Sequence, residues 1–193
     1  MPLGKQLKLL GAASLLAMSL AVPATAFHGH GGAHAEVTSQ LPRNAAPHHY
    51  SIRIEPDAAN LSFTAQTAID IDLKEASSSV TLNAADLQFK TATITPKGGK
   101  AITARVETDN AAQTATVIFP KELQPGAYRL DFDYSGVILQ QANGLFALDY
   151  KDNAGADKRS LFTQFEAPDA RRMVPSWDEP NYKATFDLTA IVP

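Results

Sequence analysis

The chain has 193 residues, a formal charge of −3 and no cysteine. Disulfides, thiolate metal sites and thiol nucleophiles are therefore excluded within it. With no run of Lys and Arg forming a basic face, nucleic acid is excluded as an expected partner.

The first residues read as an export signal: Lys5 and Lys8 precede an apolar run from Leu9 to Val22, followed by Pro23 and the small-residue pattern Ala24-Thr25-Ala26. Cleavage is expected after Ala26, with Ala33-His34-Ala35 as a second site further from the run. The run falls short of the roughly 20 apolar residues a membrane span needs, so no span is expected after cleavage. The expected location is the periplasm or the exterior.

Residues 27–40 form a Gly- and His-rich leader, "FHGHGGAHAE" at its start. All five histidines, His28, His30, His34, His48 and His49, lie before Tyr50. A Ser-His-Asp triad or a histidine zinc centre would have to recruit this leader, whose composition does not support rigid placement. His28, His30 and His34 could collect a divalent metal as short His-rich tracts do, or could belong to a solvated tail.

From Tyr50 the pattern has a period of two. Tyr50, Ile52 and Ile54 alternate with polar residues, and Pro56-Asp57 marks a turn. Leu61, Phe63, Ala65, Thr67, Ile69, Ile71 and Leu73 then share one face of a longer strand whose other face is polar. Further strands are predicted at 79–83, 89–95, 102–107, 115–119 and 128–134, separated by turn signals such as Pro96-Lys97-Gly98-Gly99 and Pro125-Gly126. Residues 135–160 read as a loop, a short strand and a second loop, with Asn143-Gly144 among the turn signals. The last strand, 185–192, is expected to pair inside a sheet, with its partner in sequence beyond Pro193. The fold class predicted for residues 41–193 is all-β: an antiparallel β-sandwich or saddle-shaped sheet with no helix of any length.

One stretch breaks the rhythm. "FTQFEAPDARRMVPSWDEP", residues 162–180, carries four acids, two adjacent arginines, three prolines and the only tryptophan. It begins as a strand in which Gln164 and Glu166 share a face. Asp169 could cap a single turn through Arg172, and Trp177 supplies an apolar anchor for a second corner ending at Pro180. Three readings stay open. Arg171 or Arg172 bridges Asp169, Asp178 or Glu179 in an ion-pair knot; Glu166, beside an amide at a strand end, binds an ammonium group; or Glu166 works with Asp169 or Glu179 as a hydrolytic carboxylate pair.

The segment from Gln164 to Pro180, continuing as "NYKATFDLTAIVP", resembles the hallmark that closes the N-terminal domain of the aminopeptidase N family of zinc metallopeptidases. Looser similarity runs upstream through "GLFALDY" to "LPRNAAPHHYSIRIEPD". The resemblance implies that Glu166 binds the free α-amino group of a peptide substrate and that Gln164 lines the pocket for its first side chain. It implies structural roles for Asp169, Arg171, Arg172, Trp177, Asp178, Glu179 and Pro180. Ser176 stands where many members of that family have cysteine.

The family's H-E-x-x-H zinc motif and its G-A-M-E-N-like strand do not occur in the chain, which has no histidine after His49. The resemblance therefore implies a substrate-anchoring domain cut before its catalytic partner. That domain would bind no zinc, contain no catalytic residue and be inactive alone, with zinc held by the missing catalytic domain. A free-standing, non-catalytic exported β-sandwich binding module is the rival expectation.

Overall fold

The structure, a computed structural model, describes residues 40–192; the expected signal segment and the leader histidines His28, His30 and His34 lie outside the described residues. Eleven strands carry the fold, and the one helical element among the described residues is a single 3-10 turn, Ala170–Arg172. In chain order they are β1 (Ala45–Asp57), β2 (Ser62–Leu73), β3 (Ser77–Asn83), β4 (Gln88–Pro96), β5 (Ile102–Thr103), β6 (Arg105–Asp109), β7 (Thr114–Leu123), β8 (Gly126–Val137), β9 (Gly144–Lys151), β10 (Asp157–Gln164) and β11 (Thr185–Ala190). The all-β expectation holds.

A six-stranded sheet has the order β11-β1-β2-β8-β4-β5, a three-stranded sheet the order β3-β7-β6, and β9 with β10 forms a hairpin. The period-two pattern explains the layering. In β1, β2 and β8 nearly every second residue is apolar, and the registers Ile52↔Thr67↔Phe132 and Tyr50↔Ile69↔Leu130 align the buried residues in rows across the sheet, with the hydroxyl of Thr67 bonded to the Tyr134 phenol at 2.9 Å. Those rows pack on Val80 and Leu82 of β3 and on Ala115, Val117 and Phe119 of β7, forming one core. Each large side chain removed from water there contributes roughly 1.5–3 kcal/mol. The opposite face of the large sheet carries Arg53, Gln66 and Asp133 in one register row and stays wet.

Three local expectations are corrected. The single strand predicted at 102–107 is two: β5 pairs with β4, and β6 pairs with β7 in the other sheet, with Ala104 between them donating its N–H to Ala92 O at 2.9 Å. Ile102, Ala104 and Val106 keep alternating through the crossing, so periodicity alone cannot show which sheet each half joins. The region read as loop, strand and loop contains β9 and the first half of β10; β10 starts at Asp157, under a charged sequence that the hydrophobic pattern does not mark, and runs on to Gln164. And β11 has its partner within the chain: it pairs with β1, in parallel, at the edge of the large sheet.

Candidate functional site

Gln164 ends β10 opposite Gly144, the first residue of β9, so it sits at the open end of the hairpin. The strand stops there, and Glu166 lies in the following turn, not on the strand. The Gln164 side-chain oxygen accepts the backbone N–H of Glu166 at 3.0 Å. The two residues are thus brought together, and both are exposed. Ala167-Pro168 is a cis peptide.

The base of the hairpin is clamped from both strands. Asn143, just before β9, donates its side-chain N–H to Asp169 Oδ2 at 2.7 Å, just beyond the turn after β10. Asp169 Oδ1 accepts Arg172 Nε at 2.8 Å. Gly144 has φ +59°, and a Cβ there would stand 3.0 Å from Arg172 Cβ and 3.3 Å from Asp169 O. The Asn143-Gly144 signal thus marks a close approach that only glycine permits without strain. Further out, Arg159 grips Asp149 with Nε at 2.6 Å and a terminal nitrogen at 2.8 Å, and reaches Ala58 O at 2.7 Å. The Arg159 guanidinium holds the Asp149 carboxyl below the usual carboxylate range.

The two adjacent arginines diverge. Arg171, 3% exposed, sends Nε to Asp178 Oδ2 at 2.9 Å, and its backbone carbonyl accepts Ala85 N–H at 2.9 Å. Arg172 pairs with Asp169 and with Asp86, a residue in the left-handed region at φ 58°. Asp169 stands at the N-cap of the 3-10 turn, but its side chain makes no capping bond because the Arg172 and Asn143 contacts occupy it. Glu179 joins neither arginine. It is buried and accepts Leu41 N–H and the Arg43 guanidinium, the latter at 2.7 Å, which brings the start of the described chain to this segment.

Trp177 is 5% exposed. Its backbone N–H donates to the Tyr50 phenol oxygen at 3.1 Å, Ser176 and Asn83 exchange backbone bonds at 2.8 and 3.0 Å, and Asp178 N–H donates to Asn83 Oδ1 at 3.2 Å. Pro180 is exposed at the turn that follows. Tyr50, Asn83, Asn143, Asp86 and Arg43 are partners that sequence reasoning missed. Only Asn143, through its turn-forming dipeptide with Gly144, left a signal.

The four acids of the stretch now separate. Asp169, Asp178 and Glu179 each meet an arginine, whereas Glu166 has no ion-pair partner among the described residues. Among those residues no group of three or more His, Asp or Glu could hold a metal ion. No helix among them is long and apolar enough to cross a membrane.

The sequence pattern of the peptidase M1 N-terminal domain matches residues 46–193. This chain belongs to that family. Its relatives include aminopeptidase N of Acetobacter pasteurianus, 43% identical over 154 residues, which cover 80% of this chain and 42% of that protein. Puromycin-sensitive aminopeptidase of Caenorhabditis elegans is 34% identical over 151 residues, 78% of this chain and 16% of that protein. Aminopeptidase M1 of Arabidopsis thaliana is 36% identical over 158 residues, 80% of this chain and 18% of that protein. As an M1 N-terminal domain, the chain spans less than half the length of these curated relatives. The hairpin base, with Gln164 and Glu166 displayed beside a charge-neutralised support, is its candidate site.

Proposed function

We propose that this chain is the substrate-amine-anchoring N-terminal domain of an exported zinc aminopeptidase that removes N-terminal residues from peptides. One observation carries the reading: Glu166 is exposed and without a cation in a stretch whose other three acids are all paired with arginine. A carboxylate so placed suits the α-ammonium of a peptide, through a charge-assisted hydrogen bond. Gln164 accepts the Glu166 N–H and keeps its amide N–H groups for a ligand.

The described residues do not supply a zinc site, and no catalytic step is assigned to them. In this reading zinc and the residues that activate water come from a catalytic domain that the chain does not include, and the chain alone hydrolyses nothing. The names of the relatives, all aminopeptidases, support the substrate class.

The test is Glu166→Gln in the aminopeptidase that contains this domain. Loss of a charge-assisted contact worth roughly 1.5–3 kcal/mol lowers kcat/KM for aminoacyl substrates about 10- to 150-fold, with the thermal midpoint unchanged. Unchanged kcat/KM per folded molecule would remove Glu166 from its role and leave the stretch as an ion-pair knot that supports the hairpin base.

A further inference from the structure

Glu166 stands in a short turn whose two ends are fastened to two adjacent residues. At one end Gln164 closes β10 in register with Gly144, and its side-chain oxygen accepts the Glu166 N–H at 3.0 Å. At the other end Asp169 Oδ2 accepts the side-chain N–H of Asn143 at 2.7 Å. Asn143 and Gly144 are consecutive in the chain, and consecutive Cα atoms stand about 3.8 Å apart. The segment from Gln164 to Asp169 is therefore a closed loop with its ends held at a fixed separation, and Glu166 is carried within it.

The far end of the loop is held from a second side. Asp169 Oδ1 accepts Arg172 Nε at 2.8 Å, and Arg172 reaches on to Asp86. A Cβ on Gly144 would stand 3.3 Å from the Asp169 carbonyl oxygen, so the two ends of the loop pack at close range and leave Asp169 little room to shift. Asp169 is buried and Asn143 half-buried, which shelters their hydrogen bond from water. Each of these contacts is made between described residues of the domain.

We propose that Asn143 is a positioning residue for the substrate-amine site: by tying Asp169 to the start of β9 it sets where the Glu166 carboxylate stands. The inference rests on the reading of Glu166 as the anchor for a peptide's α-ammonium, and it gives Asn143 no contact with substrate. The chemistry of the contact favours an amide at this position. Asp169 already gives one oxygen to a guanidinium, and its other oxygen needs a donor that adds no further charge. A carboxylate at position 143 would face Asp169 at hydrogen-bond distance and repel it.

The test is a double-mutant cycle on kcat/KM in the aminopeptidase that contains this domain, with Asn143→Ala, Glu166→Gln and the two together. Asn143→Ala is expected to lower kcat/KM about tenfold, within the roughly 100-fold that a misplacement of about 1 Å can cost, and to lower it no further once Glu166→Gln is present. A residue that only held the fold together would act equally in both backgrounds. The exchange Asn143→Asp/Asp169→Asn reverses the hydrogen bond, keeps the net charge and leaves a carbonyl oxygen for Arg172. It is expected to recover activity that Asn143→Asp alone loses, and its readout does not depend on the alanine variant folding. With Glu166→Gln impaired, three results overturn the proposal and leave the amine anchor standing: equal factors in the two backgrounds, an Asn143→Ala enzyme with unchanged kcat/KM, or a folded exchange variant no more active than Asn143→Asp. An unimpaired Glu166→Gln enzyme removes the amine anchor itself, and the positioning role falls with it.

Discussion

The backbone N–H of Trp177 donates to the phenol oxygen of Tyr50 at 3.1 Å, and both residues are buried. The charged stretch is thereby fastened to the second strand of the large sheet, the same residue on which Phe186 of the edge strand stacks. Tyr50→Phe keeps the ring and removes the acceptor, which leaves a buried N–H unpaired at a cost of about 1–3 kcal/mol. A lowered denaturation midpoint with an unchanged fluorescence maximum for the sole tryptophan is expected; an unchanged midpoint would show that the bond contributes nothing net.

Burial drives the Tyr50 phenol well above its ordinary value, and burial acts on Tyr134 in the same direction. In the unfolded chain a phenol titrates at about 10. Above that pH the unfolded state releases protons that the folded state keeps, so stability is complete below about 10 and is lost as pH rises beyond it. Thermal melts between neutral and strongly alkaline pH check this. The Tyr50→Phe variant is expected to lose stability less steeply over that alkaline range, and an equal slope would contradict the assignment.

Arg171 and Arg105 both pair with a carboxylate, but in different surroundings. Arg171 is 4% exposed in its side chain beside Asp178 at 22%, whereas Arg105 and Glu107 are 66% and 56% exposed. Arg171→Ala strips a part-buried carboxylate and a turn of their partner and is expected to cost about 1–3 kcal/mol. Arg105→Ala is expected to cost at most about 1 kcal/mol. Chemical denaturation of the two variants side by side decides it, and equal effects would refute the distinction.

Gly136 lies in β8 against Phe63 of β2; a Cβ there would come within 2.4 Å of Phe63 Cζ and 3.1 Å of Leu87 Cδ2. Phe63 is 1% exposed and cannot swing away. Gly136→Ala is therefore expected to destabilise by about 1–3 kcal/mol through overpacking. Gly155, with a positive φ of 81° but nothing within 4 Å of a Cβ, tests backbone strain without the clash. Its alanine variant is expected to lose less, and the reverse order would overturn the packing argument.

Alternation of apolar and polar residues determined, from sequence alone, that the chain is a β protein and which residues of β1, β2 and β8 face the core, because side-chain direction in a strand follows directly from position. The motif from Gln164 to Pro180 was equally legible as a cluster of charge around one tryptophan. What it could not show was which acid meets which base. Arg171 chose Asp178, seven residues on; Arg172 chose Asp169 and the distant Asp86; Glu179 chose Arg43, from the start of the domain. Such choices depend on which turns converge in space, and local spacing does not encode that. The parallel docking of β11 on β1 and the crossing of β5 and β6 between sheets were tertiary decisions for the same reason. A strand's own pattern specifies its buried face, but its neighbour is set by which edge the rest of the fold leaves open. The exposure of Glu166 is also of this kind: it stands without a cation because the fold has already committed each nearby arginine elsewhere.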